Sequence, residues 1–230
     1  MKKQKVSYLQ QKAIFNNCLM KKKVTIVDYG LGNILSAQQS FLKVANDNNI
    51  NASVVITNKP QIIADSTHIV LPGQGAFKTC INNLTKIQGM IEQLTNSVIQ
   101  NKIPFLGICV GMQLLANISY EGGKHKGLGW IQGQIKKLPT NDLKLPHMGW
   151  NEVKIIKENN NLINSNEIND FYFVHSYYFD CEHNKNMIGT TEYGINFTSF
   201  VSKENIYGVQ FHPEKSSKQG LKIIKNFLEL

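Results

Sequence analysis

Four short apolar runs constrain this chain more than anything else in it. VTIVD (Val24–Asp28), SVVIT (Ser53–Thr57), HIVLP (His68–Pro72) and IPFLGI (Ile103–Ile108) are too short for core helices. They are also too continuously apolar for strands with one wet face, so they read as strands of a sheet covered on both sides. Helical spacing follows three of them. It runs over Ile34–Val44, over a segment from about Ile87 to Asn101 (apolar at Ile87, Met90, Ile91, Leu94, Val98 and Ile99), and over Val110–Asn117. Alternation of strand and helix implies a parallel sheet. From Leu128 the pieces become shorter and β-like: WIQGQIKKL, NEVKIIK, FYFVH, FTSFV and IYGVQF. An amphipathic helix, Gln219–Leu230, closes the chain. The expected fold is α/β, a central mostly parallel sheet with helices on both faces and a small additional β region.

The net charge of +9 suggests nucleic acid until its location is considered. Seven of the 25 basic residues lie within the first 23 positions, and no acidic residue precedes Asp28. From Val24 onward 18 basic residues face 16 acidic ones, so the body is nearly neutral and no nucleic-acid partner is expected. Residues 1–23 are set apart as a basic leader, disordered or not native, with Met20 the expected start; residues 24–230 form one domain. No stretch of ~18 apolar residues suits a membrane span. The four cysteines (Cys18, Cys80, Cys109, Cys181) form no CxxC pair, which argues against a disulfide framework or zinc site and for a cytoplasmic location. All basic residues are lysine, so no arginine clamp on a phosphate is available.

The sequence GICVG places Cys109 between Gly107 and Gly111, where a buried strand gives way to a helix. Alone, this pattern fits a small buried hydrophobe at a tight turn as well as a nucleophile held on a strained elbow. If it is a nucleophile, the Val110 N–H points at any oxyanion formed beside the sulfur. The ending YGVQFHPEKSS supplies the rest of a constellation. His212 ends an apolar strand, Pro213 stops it, and the Glu214 carboxylate lies two residues on. A nucleophile needs a base, and the base an orienting group. VLPGQGAF (Val70–Phe77) adds a glycine-rich turn, where Gly73 and Gly75 let backbone approach a substrate. DYGLGN carries only half of a dinucleotide fingerprint, because Leu35 stands where the third glycine belongs.

Together these pieces resemble the class I glutamine amidotransferases, from Val24 to Leu230. GICVG and HPE are marks of the whole class. IVDYGLGN, LPGQGAF, GMQL, GLGWI, PHMGWN, VHSYY and FHPEKS are most similar to the glutaminase subunits of imidazole glycerol phosphate synthases. The resemblance implies the class I (flavodoxin-like) fold. It makes Cys109 the nucleophile, His212 the general base and acid, and Glu214 its orienter. It places the oxyanion hole at Val110 and the backbone of Gly73, Gln74 and Gly75, Gln74 standing where many relatives carry valine. Gln113, Ser176 and Tyr177 would hold the α-amino and α-carboxyl ends of glutamine. Asn33, Trp150, Asn151 and Lys215 would face the partner, with His147 alongside in PHMGWN. That partner is a cyclase subunit, a (β/α)₈ barrel forming a heterodimer in histidine biosynthesis. No metal or organic cofactor is implied.

Alternative readings are the same glutaminase serving another ammonia acceptor, for example in surface-sugar modification, a non-catalytic binding subunit, or a cysteine peptidase. Retention of all three triad positions argues against the second. Gln113 and HSYY argue against the third. Because the first core strand is expected at Val24, removing residues 1–19 should leave melting temperature and activity unchanged; a large fall in melting temperature would show that the leader packs on the body.

Overall fold

The computed structural model describes residues 21–139, 143–157, 161–163 and 169–230. The leader through Met20 lies outside the described residues. The chain opens with β1 (Lys22–Val27), α1 (Ile34–Asp47) and β2 (Ala52–Thr57). The first strand starts two residues earlier than expected, because Lys22 and Lys23 pair with Ala52 and Ser53 at the sheet edge. Next come α2 (Pro60–Ala64), β3 (His68–Gly73), α3 (Phe77–Lys86) and α4 (Met90–Thr95). Sequence spacing missed α3. The helix expected over Ile87–Asn101 begins only at Met90, since Gly89 adopts φ +77° and breaks the run. Its last turn widens over Asn96–Gln100, where the Asn101 N–H donates to the Asn96 carbonyl. Then follow β4 (Phe105–Cys109) and α5 (Val110–Gln113). Beyond Gln113 the bonds tighten to i→i+3, so α5 is shorter than expected.

The strands β2, β1, β3 and β4 lie side by side in that order, all parallel. The step from β1 to β2 runs opposite to the steps from β2 to β3 to β4. Right-handed crossovers in opposite directions place α1 on one face and α2 to α4 on the other. The carboxyl ends of β3 and β4 open beside the reversal between β1 and β3, where sites of open α/β sheets lie.

The second half supplies β5 (Ile118–Ser119), β6 (His125–Lys126), β7 (Gly133–Lys137), β8 (His147–Glu152), β9 (Lys154–Ile155) and β10 (Asp170–His175). It continues with β11 (Tyr177–Cys181), β12 (Met187–Tyr193), β13 (Ile195–Lys203), β14 (Ile206–Val209) and α6 (Ser217–Leu228). Strand β14 joins the parallel half next to β4, and from it β13, β11 and β7 continue antiparallel. The β region expected after Leu128 is thus mostly one continuous sheet with the parallel half. A separate antiparallel ribbon, β8–β10, stands over the carboxyl edge. Helix α6 packs on α1, with Phe227 edge-on to Phe41. No helix among the described residues is long and apolar enough to cross a membrane.

Strands β3 and β4 pair so that Gly73 lies opposite Cys109. The turn after Cys109 is pressed onto β3. A Cβ on Gly111 would lie 1.8 Å from the Leu71 carbonyl oxygen, and one on Gly73 would lie 2.6 Å from the Gly111 nitrogen. Both glycines are there for close approach. Gly111→Ala should therefore push the turn off β3 and cost about 3 kcal/mol in urea denaturation. A variant as stable as the parent would show that the turn can relax away from the strand.

Candidate active site

Cys109 sits at the junction of β4 and α5 with φ +54° and ψ −111°, a region costly for a residue with a Cβ. The surrounding sheet holds it there, and the strain projects the side chain above the sheet edge. Its sulfur is nearly buried, 4.0 Å from the Val174 carbonyl oxygen and 3.7 Å from Gln210 Nε2, which donates toward it. Val110 opens α5, so its N–H has no partner within the helix.

His212 arrives from the neighbouring strand. Val209 of β14 pairs with Ile108, and three residues later the chain turns at His212. The turn is anchored to β10: the His212 N–H donates to the Tyr172 carbonyl at 2.9 Å. Ser216 Oγ donates to the His212 carbonyl at 2.6 Å and accepts the Tyr172 N–H at 2.9 Å. Glu214 Oε1 accepts from His212 Nδ1 at 2.8 Å, with both side chains buried. This leaves Nε2 for Cys109. Nε2 has no hydrogen bond of ordinary geometry, yet it couples to the sulfur electrostatically. Burial is the largest single influence on the imidazole and disfavours its charged form. The charge and hydrogen-bonding of Cys109, then of Glu214, together outweigh it and raise His212 from 6.5 to about 10. The Cys109 sulfur and the Glu214 carboxylate thus favour the protonated imidazole.

Cys109, Val110, Gln113, His212, Gln74 and Gly75 line one cavity of about 370 Å³, together with Val174–Tyr177. Gly75 has φ +92°, and the Gln74 carbonyl accepts from the Cys80 thiol at 3.5 Å. Burial pushes the Cys80 thiol up to about 11, so it stays a neutral donor. Tyr29 Oη donates to the Pro72 carbonyl at 2.7 Å and supports the same turn from behind. Gln113 Nε2 donates to the Tyr177 carbonyl and to Gln210 Oε1, both at 3.0 Å. Sequence reasoning missed two residues here. Glu121 lines the cavity and also accepts the Phe77 N–H at 2.8 Å, but nothing in YEGGK marks it. Gln210 had a signal: a lone amide in an apolar strand, two residues before His212 and so on the same side of the chain. A larger cleft of about 640 Å³, lined by Pro60, Gln61, Gln88 and Glu92, has neither a cysteine nor a histidine. No cluster of three or more His, Cys, Asp or Glu side chains suited to a metal occurs among the described residues.

The ribbon's outer face is apolar and aromatic at Met148, Trp150 and Tyr172, with the paired carboxylates Glu152 and Asp170 at one end. Trp150 is 56% and Met148 62% exposed. Trp150 meets Tyr172 edge-on, and Lys215 Nζ lies 5.9 Å from the Tyr172 ring centroid. Asn33 is half-buried at the start of α1, beside exposed Leu35. Asn151 and His147, grouped with Trp150 at the sequence level, point the other way, because alternate residues of a strand face opposite sides. The Asn151 amide bonds His147 Nε2 at 3.2 Å and the Glu192 carbonyl at 2.9 Å, and His147 is buried. Their polar groups are thus used inside the chain.

The family described as glutamine amidotransferase class-I matches residues 26–230, and the chain belongs to that family. Its relatives include the imidazole glycerol phosphate synthase subunit HisH of Pelagibacter ubique, 47% identical over 209 residues that cover 90% of this chain and 99% of that protein. HisH 2 of Methanococcus maripaludis is 48% identical over 207 residues, covering 90% and 98%. A crystal structure of a glutamine amidotransferase superimposes with a TM-score of 0.64 at 15% identity, covering 89% of this chain and 97% of that one. A glutamine amidotransferase from Thermotoga maritima gives 0.59 at 17% identity, covering 86% and 78%. At those identities the two structures attest to the fold alone.

A raised His212 carries a sign. Its contribution to stability is fully present below the unfolded value of 6.5 and is lost as pH rises through about 10. Titration of the His212 ring by NMR should report that high value in the parent chain. In Cys109→Ala it should fall by at least ~1 pH unit, since burial then meets one fewer opposing charge. An unmoved titration would show that Cys109 does not couple to His212.

Proposed function

We propose that this chain is the glutaminase subunit of an imidazole glycerol phosphate synthase, hydrolysing glutamine and passing ammonia to a cyclase partner in histidine biosynthesis. The convergence of Cys109, the His212–Glu214 pair and the Gln74–Gly75 turn in one cavity carries this reading. HisH relatives near 47% identity over nine-tenths of the chain support the particular pathway.

The Cys109 thiolate attacks the side-chain amide carbon of glutamine, and charge develops on the amide oxygen. Backbone N–H groups of Val110 and the Gly73–Gly75 turn receive that charge; one such donor is worth ~10²–10³ in turnover. His212 gives its Nε2 proton to the departing ammonia, leaving a γ-glutamyl thioester. Neutral His212 then takes a proton from water, which attacks the thioester and releases glutamate. Glu214 holds the imidazole by Nδ1 throughout, so Nε2 always faces the reacting atoms. Gln113 Oε1 and the Glu121 carboxylate suit the substrate's α-ammonium, and the Ser176–Tyr177 backbone its α-carboxylate. Backbone capture of a carboxylate fits a chain with no arginine.

The partner, a (β/α)₈ barrel, would sit on the face formed by Trp150, Met148, Tyr172, Lys215 and Asn33. An exposed aromatic patch with one cation at its rim suits a protein interface. Ammonia released at Cys109 leaves toward this same sheet edge.

Cys109→Ala, assembled with the cyclase, should lose glutamine-dependent synthesis and retain synthesis from added ammonia. Loss of both would mean that Cys109 serves assembly, and the reading would fall.

A further inference from the structure

A directed chain of hydrogen bonds joins the inner face of β8 to the catalytic sulfur, and each link fixes the next. The Tyr177 carbonyl can only accept, so His175 Nδ1, 2.8 Å away, carries a hydrogen. Neutral His175 then has its lone pair on Nε2, which takes the hydrogen of His147 Nδ1 at 2.9 Å. His147 Nε2 in turn accepts from Asn151 Nδ2 at 3.2 Å. The other Asn151 hydrogen goes to the Glu192 carbonyl at 2.9 Å, so this amide cannot be reversed without losing that bond. On the far side, Gln113 Nε2 gives one hydrogen to the Tyr177 carbonyl and the other to Gln210 Oε1. That turns Gln210 Nε2 toward Cys109 Sγ at 3.7 Å. Reversing any one member would set two donors or two acceptors face to face.

His147, His175, Gln113 and Gln210 are buried, where an unpaired polar group is expensive. The chain also needs both imidazoles neutral. Burial lowers His147 to about 4. Burial lowers His175 to about 3; its bond to Tyr177 opposes this, while His147 and His212 add to it. The residues between β8 and the cavity therefore stay in one tautomeric arrangement at neutral pH.

We infer that Asn151, His147 and His175 are positioning residues for glutamine. They lock the Tyr177 carbonyl, and through it hold the amides of Gln113 and Gln210 in the orientation that serves substrate and sulfur. The inference rests on the glutaminase reading of the cavity. Trp150 lies next to Asn151 and faces outward, so a partner seated on the ribbon bears on the first link of the chain.

His147→Phe keeps the ring stacked between Phe173, 4.9 Å away, and Tyr193, 4.1 Å away, and removes both ring nitrogens. In the complex with the cyclase it should raise KM for glutamine about tenfold, the scale of one lost buried hydrogen bond, with kcat changed less than about threefold. His147→Asn, whose amide nitrogen takes the place of Nδ1, should recover most of the loss. An unchanged KM in the Phe variant, or an Asn variant no better than it, would overturn the role. Independently, ¹⁵N NMR of the parent chain should show His147 and His175 neutral with hydrogen on Nδ1 between about pH 5 and 8. Hydrogen on Nε2 of either ring would break the chain whatever the substrate. A parent complex that forms the chain but does not hydrolyse glutamine would instead overturn the glutaminase reading and the positioning role that rests on it.

Discussion

The contact between the turn after β4 and the backbone of β3 is what the rest of the site depends on. Gly111 lies so close to the Leu71 carbonyl that no side chain fits between them. That closeness brings the Gly73–Gly75 turn alongside the cysteine, since Gly73 pairs directly with Cys109. It also forces Cys109 into its left-handed conformation, a local cost borne by two strands buried over their whole length. Were the strands further apart, Cys109 could relax to an ordinary backbone conformation and its thiol would no longer stand above the sheet.

A second consequence follows from where β14 inserts. It runs parallel to β4, yet its other neighbour, β13, is antiparallel. One strand thus closes the parallel half and opens the antiparallel extension. Its carboxyl end therefore delivers His212 next to Cys109, although a hundred residues separate them in sequence. The ribbon β8–β10 then roofs the cavity, and Ser216 fastens the histidine turn to it through Tyr172. Catalytic geometry and the outward aromatic face are two sides of one two-stranded element.

The three histidines near the cavity illustrate how burial and partners decide charge. All three are buried. His147 and His175 bond each other, the Asn151 amide and the Tyr177 carbonyl; desolvation dominates and lowers both, with His212 adding to it at His175. His212 faces a sulfur and a carboxylate, and their charge reverses the outcome. The sulfur and carboxylate thus favour a proton on His212, and burial disfavours one on the two rings whose hydrogen-bond direction is fixed.

The short apolar runs were enough to foresee the parallel half of the sheet, because strands buried on both faces carry an unbroken apolar signature, although β2 proves to be an edge strand with Val55 exposed. GICVG and HPE singled out Cys109, His212 and Glu214, which the fold brings together, because tight turns demand glycine and proline at fixed offsets. The helix at Phe77–Lys86 and the strand at Met187–Tyr193 were not legible, since their apolar residues are sparse and mixed with polar ones, and the short strand Tyr177–Cys181 follows FYFVH too closely to be told from it by pattern. Glu121 reaches the cavity only through the path the chain takes after α5, and the lone amide of Gln210 meets the Cys109 sulfur only through the course of β14. By itself, then, the sequence determined the fold class and picked out Cys109, His212 and Glu214, all of which are written in local patterns. Only the tertiary structure decided which way Asn151 and His147 face, which histidine holds a proton, and how Tyr177, Gln113 and Gln210 are joined. Those depend on distances and burial between residues far apart in the chain, and no local pattern encodes them.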